Sequence, residues 1–245
     1  MDTGLKGRTV LVTGASRNMG RLAALEFARE GANLAICTSA RMTELNQVAD
    51  EARALGVDAV AARCDITDDA AVAAFVGQAR DKFGRIDVVV NLAGYRAERP
   101  FLEESMEAWH RTIAVNLTGP FNICRHVLPL MKEQRWGRII NTSGIAPYLG
   151  TGAAKATVKL GIVGFTRGIA QEFGQYNITA NCFGPGQIAR PSEASVNDKP
   201  MRDTQAIRRK GTPDEAVSII IYLASEGAGF ITGQCYLVNG GAYLQ

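Results

Sequence analysis

Histidine is scarce in this chain: of 245 residues only His110 and His126 are histidine, and neither has a carboxylate or cysteine at ligand spacing. No metal site is therefore expected. Cysteine pairs of the Cys-x-x-Cys type are absent. The five cysteines, an odd number, stand at 37, 64, 124, 182 and 235, mostly inside apolar runs such as L-A-I-C and T-A-N-C-F. They read as small buried hydrophobes in a reducing compartment. An excess of one charge is lacking too. With 27 basic and 24 acidic residues the formal net charge is +3, which argues against a nucleic-acid surface. No apolar run approaches the roughly 20 residues needed to span a bilayer. The N-terminus M-D-T-G-L-K-G-R has no apolar core, so no signal peptide and no membrane partner are expected, and a cytoplasmic location is the default. What remains, 47% hydrophobic and 21% charged residues, is globular in composition.

Short β-branched runs alternate with longer helical patterns. Strands are predicted at 9–13, 33–38, 59–64, 86–91, 138–142, 178–183 and 235–239. Most are apolar almost throughout, as strands covered on both faces are. Between them Leu22, Leu25, Phe27 and Ala28, then Leu45, Val48, Ala52 and Leu55, recur at helical spacing. Gly31, Gly56 and Gly84 stand where helices should stop, and Thr67 is a candidate N-cap. The expectation is an α/β chain: a doubly wound, seven-stranded parallel sheet with helices on both faces, one domain over 1–245. The stretch 184–212 is rich in Pro, Gly, Ser and charge. It follows a strand's carboxyl end, where such sheets bind ligands, and is expected to be a substrate loop or lid.

Residues 13–20 read T-G-A-S-R-N-M-G, directly after the first strand and opening a helix. Glycines there permit tight turning and close backbone approach to a pyrophosphate on the helix N-terminus. The segment resembles the Thr-Gly-x-x-x-Gly-x-Gly loop of the short-chain dehydrogenase/reductase family, a Rossmann-type fold. Gly14 and Gly20 match; Asn18 replaces the middle glycine, and asparagine tolerates the left-handed backbone. The resemblance continues along the chain. Asp65, followed by Ile66, resembles the family aspartate that contacts adenine. Asn91 to Gly94, N-L-A-G, resembles Asn-Asn-Ala-Gly. Asn116 in V-N-L-T-G matches the active-site asparagine, Pro185-Gly186 the turn after strand six, and 231–241 the family's usual ending.

The resemblance implies a nicotinamide dinucleotide held by Gly14, Ser16, Arg17, Asn18, Met19, Gly20, Asp65, Ile66, Asn91, Ala93, Gly94, Lys159, Pro185, Gly186 and Ile188. An acid at the end of strand two would bind ribose hydroxyls and repel a 2′-phosphate. This chain has Thr38 and Ser39 there, with Arg41 just beyond and Arg17 in the loop. Two hydroxyls, two guanidinium groups and no carboxylate favour NADP(H) over NAD(H).

The departures cluster at the chemistry. The family's Tyr-x-x-x-Lys becomes Lys155-x-x-x-Lys159, and its serine position after strand five falls on Gly144, with Ser143 one residue earlier. Where the family often has threonine after the Pro-Gly turn, this chain has Arg190. The catalytic set expected is Asn116, Lys155, Lys159, Ser143 and Tyr148, with Tyr95 also near the pocket. Three readings follow: a reductase or dehydrogenase with a non-standard proton donor, changed lysine chemistry of the lyase or isomerase kind, or a dinucleotide-binding subunit without chemistry. The first ranks highest. The substrate is a small molecule in a partly apolar pocket suggested by Tyr95, Tyr148, Leu149 and Phe183. Apolar residues on more than one face of the helices near 117–131 and 156–173 predict a homotetramer or homodimer.

Overall fold

The computed structural model describes residues 2–96, 99–189 and 205–244. Its centre is one parallel sheet of seven strands: β1 (Thr9–Thr13), β2 (Asn33–Thr38), β3 (Ala59–Arg63), β4 (Val88–Asn91), β5 (Gly137–Thr142), β6 (Ile178–Pro185) and β7 (Cys235–Val238). The spatial order is β3-β2-β1-β4-β5-β6-β7. The chain starts in the middle, winds outward to β3, then returns beside β1 and winds the other way. The order reverses between β1 and β4, and a crevice opens at such a reversal, beyond the strands' carboxyl ends.

Helices cover both faces: α1 (Asn18–Arg29), α2 (Met42–Ala54), α3 (Asp69–Phe83), α4 (Met106–Ile113), α5 (Gly119–Gln134), α6 (Ala146–Leu149), α7 (Ala153–Phe173) and α8 (Pro213–Ala224). One core packs α1, α2 and α8 against Val10, Val12, Leu34, Ile36 and Val88. The other packs α3, α5 and α7 against Leu11, Ala35, Val89 and Ile139. Adjacent residues of β1, Val10, Leu11 and Val12, thus feed opposite cores, which is why the strand is apolar throughout rather than alternating.

Local chemistry sets the boundaries. Gly84 ends α3 in the left-handed region at φ 72°. The N-cap of α3 is Asp68, whose carboxylate accepts from the N–H groups of Ala70 and Ala71. The sequence had pointed one residue too early, to Thr67, which instead donates from N–H and hydroxyl to Asp65 Oδ1 at 3.0 and 2.8 Å. Thr212 and Glu215 form a reciprocal capping box on α8. Among the described residues no helix is long and apolar enough to cross a membrane. Of the expected lid, residues 190–204, including Arg190, lie outside the described residues.

Candidate active site

The loop between β1 and α1 is shaped by backbone demands. Gly14 has φ +70°, and a Cβ there would lie 2.8 Å from Ala93 Cα. A Cβ on Gly20 would lie 2.2 Å from the carbonyl oxygen of Gly14. Neither position accepts a larger residue. Asn18 takes the left-handed backbone at φ 49° that the family's middle glycine would take. The N-cap of α1 is Arg17, with no side-chain capping bond and no acid in the first turn. Helices α2, α5 and α7 also lack side-chain caps, so it is the glycine turn in front of α1 that suits its N–H groups to an anion, where the helix dipole favours negative charge. These residues fit a dinucleotide pyrophosphate.

At the end of β2, Thr38 is buried and Ser39 exposed. The Ser16 and Thr38 hydroxyls are 3.4 Å apart. Arg41 reaches Glu44 at 2.9 Å. The carboxyl of Glu44 is held below its ordinary pKa by hydrogen bonding to its own backbone and to Arg41, with the charge of Arg17 adding to the effect. Two guanidinium groups therefore converge on one patch beside the cradle, and an incoming phosphate would compete with Glu44 for Arg41.

The cleft continues through β4. Ala93 N–H donates to Thr13 Oγ1 at 3.2 Å. A Cβ on Gly94 would stand 3.4 Å from Asn116 Oδ1. Asn116 is buried on a π-helical turn, Ala114–Thr118, between α4 and α5. Its amide donates to the carbonyls of Tyr95 and Thr112 at 3.0 and 2.9 Å. That leaves Oδ1 directed at Gly94.

Lys159 on α7 donates to the Thr142 carbonyl at 2.8 Å. Burial, then the charges of Arg96 and Lys155, lower its pKa to about 8. Lys155 lies four residues earlier on the same helix face. Gly144 faces this group: a Cβ there would have Lys159 Cγ and Pro185 O as its nearest neighbours, both at 4.0 Å. Room for a side chain exists where the chain has none. Gly186 is the opposite case, since a Cβ would lie 2.7 Å from Asn239 Cα. Ile188 pairs with Gly211 in an isolated bridge and packs on the first core.

Several residues marked in the sequence are occupied otherwise. Ser143 is buried and gives its hydroxyl proton to the carbonyl of Lys159 at 2.7 Å, so it braces α7 rather than facing the cleft. Asn91 spends its amide on Asn141 Oδ1 at 2.8 Å, and its carbonyl accepts from Thr142 at 2.7 Å. It ties β4 to β5. The Ile66 carbonyl accepts from Asn122 at 3.0 Å, and its side chain fills the space above Gly119. Phe183 is fully buried in the first core. Tyr148 stacks on Tyr243 with centroids 5.0 Å apart, and burial, then Cys235, raise its pKa to about 12. Met19 packs against the first core. Sequence reasoning missed Arg96, whose charge acts on Lys159; its place two residues after N-L-A-G was the available signal. Among the described residues no three His, Cys, Asp or Glu side chains are grouped to hold a metal.

Comparison with known proteins agrees with this geometry. Residues 14–243 match the family described as enoyl-(acyl carrier protein) reductase. The chain is 35% identical over 245 residues to a 3-oxoacyl-[acyl-carrier-protein] reductase of Synechocystis sp., covering 99% of each. It is 36% identical to a (2S)-[(R)-hydroxy(phenyl)methyl]succinyl-CoA dehydrogenase subunit of Thauera aromatica, covering 98% of each. The crystal structure of a 3-oxoacyl-[acyl-carrier protein] reductase from Brucella melitensis superposes with a TM-score of 0.90 at 34% identity, over 100% of this chain and 94% of that one. A match over nearly the whole length, together with the glycine cradle, the asparagine on its π turn and the buried lysine, means that the chain belongs to the short-chain dehydrogenase/reductase family of oxidoreductases.

Proposed function

We propose that this protein is an NADP(H)-dependent oxidoreductase acting on a carbonyl/alcohol pair, with lysine in place of tyrosine at the proton-transfer step. One observation carries the reading: the glycine loop, Asn116 and Lys159 gather beyond the carboxyl ends of β1, β4 and β5. Gly14 abuts Ala93, Gly94 faces Asn116, and Lys159 reaches the Thr142 carbonyl with Gly144 beside it. When bound, the nicotinamide supplies or accepts the hydride. Gly14 to Gly20 would hold the pyrophosphate. Arg17, Thr38, Ser39 and Arg41 would meet the 2′-phosphate, and Asp65 with Ile66 the adenine. Ala93, Gly94, Pro185, Gly186 and Ile188 would flank the nicotinamide half.

The proton falls to the lysines. An amine whose pKa is lowered to about 8 exchanges protons readily near neutral pH. Reduction needs Lys159 protonated, so its rate is expected to fall as pH rises through about 8. Oxidation needs the free amine and is expected to rise over the same range. Lys155, at the family's tyrosine position, shares that face and lowers the pKa of Lys159. Tyr148 is the weaker donor here, because its pKa is raised.

Two of the relatives are named for substrates carried on acyl carrier protein or on CoA, so 3-oxoacyl thioesters and simple ketones are the substrates to assay first. The test is NADPH oxidation against that panel across pH, with turnover expected and a fall near pH 8. A flat profile would remove the lysines from the proton step. A second reading is a dinucleotide-binding subunit without chemistry. The buried Ser143 hydroxyl and the lysine at the tyrosine position favour it, and the Thauera relative is itself named as a subunit. Tight NADPH binding with no turnover on any substrate would select it, whereas borohydride trapping of an adduct on Lys155 would select Schiff-base chemistry. Assembly as a homodimer or homotetramer in the cytoplasm completes the proposal. It draws on the exposed Phe121 and Leu160 of α5 and α7, and sedimentation as a 26.2 kDa monomer at micromolar concentration would contradict it.

A further inference from the structure

Four of the five cysteines form two cross-strand thiol pairs, and the pairs differ. Cys37 on β2 and Cys64 just beyond β3 are neighbouring thiols that shift each other's pKa, and both are buried. They are out of register, because Cys37 is opposite Ala62. Cys182 on β6 and Cys235 on β7 are direct register partners in a parallel ladder. Neighbouring strands run about 4.8 Å apart, inside the Cα separation of roughly 4.4–6.8 Å that a disulfide spans. The Cys182 sulfur is held by the Thr166 hydroxyl at 3.1 Å and touches the Ile162 carbonyl at 3.8 Å. It is fully buried, whereas Cys235 is half-buried. Cys235 lines a cavity of about 400 Å³ with Tyr236, Leu237, Asn239, Tyr243 and Leu244. Cys235 thus borders open space, and Cys182 lies buried beside it.

We infer that Cys182 and Cys235 form an oxidisable dithiol, a modification site for two-electron oxidants such as hydrogen peroxide, closing to a β6–β7 disulfide. The Cys235 sulfur attacks the peroxide O–O bond, becoming a sulfenic acid and releasing water. The Cys182 sulfur then attacks the Cys235 sulfur, the S–OH bond breaks, and a second water leaves. Two thiols and one peroxide give one disulfide and two waters, with two electrons passed from sulfur to oxygen. The environment favours the first step. Hydrogen bonding from Cys182, then from Tyr148, holds the Cys235 thiol below its usual pKa, which raises the thiolate fraction. Ser143 cannot also donate, because its one proton goes to Lys159 O. The Cys182 thiol is pushed up, by its bond to Cys235 and by burial. A partly accessible low-pKa thiol beside a resolving thiol is the arrangement that forms disulfides selectively. None of this depends on the redox reading of the cleft.

The test treats folded protein with hydrogen peroxide, quenches with N-ethylmaleimide, unfolds it, alkylates any remaining thiols with iodoacetamide and maps the peptides. A disulfide joining the Cys182 and Cys235 peptides is expected, reversed by dithiothreitol, with Cys37, Cys64 and Cys124 recovered as free thiols. No crosslink, a crosslink between other cysteines, or Cys235 carried to sulfinic acid while Cys182 stays reduced would overturn it. In Cys182→Ser, shown folded by circular dichroism, Cys235 should stop at a sulfenic acid trapped by dimedone; an unreactive Cys235 there would also overturn it. If that variant does not fold, the wild-type map decides alone.

Discussion

At the amino edge of the sheet Asp87 is fully buried and accepts from Arg8 at 3.2 Å, from Arg85 Nε at 2.7 Å and from Thr9 N–H at 2.9 Å. Beside it Arg138 is also buried. It donates to the carbonyls of Gly137, Asn177 and Ser225, and shares the Trp136 ring with Arg8, whose guanidinium lies 4.0 Å from the ring centre and its own 4.2 Å. Burial lowers the Arg138 pKa to about 10. At the carboxyl edge Lys159 is engaged by one carbonyl, with Arg96 and Lys155 as its charged neighbours, both of its own sign. Buried charge with complete partners rigidifies; buried charge beside like charge keeps a labile proton. One edge holds the sheet together; the other keeps a lysine beside like charge.

Substitutions should separate these roles. The largest effect is expected from Asp87→Ala. It leaves the buried Thr9 N–H unsatisfied and removes the charge-assisted bonds from Arg8 and Arg85, and should lower stability by about 3 kcal/mol in denaturant titration, while folded protein still binds NADPH. A normal melting curve would show that the amino-edge network is ornamental. Next is the double substitution Gly144→Ser with Lys155→Tyr, which restores the family's pair in space that Gly144 leaves open. Turnover with a 3-oxoacyl thioester is expected to rise by about 100-fold or more, the usual range for a general acid, with little change in stability. An unchanged rate would mean that a serine and a tyrosine at these positions are not what limits the site. Gly14→Ala forces a Cβ against Ala93 at a left-handed φ. It should weaken NADPH binding by about tenfold or more in a fluorescence titration. The smallest effect is expected from Arg17→Ala. It should weaken NADPH by about tenfold, the worth of one charge-assisted bond, and leave NADH nearly unchanged. Equal loss for both would place Arg17 away from the 2′-phosphate.

The fold was readable because each strand, β1 above all, is apolar on both faces, and the helix stops are glycines whose positive φ no other residue takes cheaply. The cradle was readable for the same reason: Gly14 and Gly20 answer to backbone geometry, which leaves a mark in the sequence. The roles of polar side chains were not. Ser143, Asn91 and Phe183 looked like site residues from their positions beside motifs, yet each is directed into the interior. Adjacent residues on a strand point to opposite faces, so an offset of one residue decides between cleft and core. Cys235 shows the converse, an apolar-run cysteine that emerges half-buried beside Tyr148.

The sequence by itself determined the alternation of elements and the glycine turn into α1, since these depend on residue type and local spacing. Only the tertiary structure decided that Arg96 presses on Lys159, that Ser143 braces a helix, and that Cys182 faces Cys235. Each of these joins residues far apart in the chain, and the field, burial and register that govern them exist only once the strands have paired.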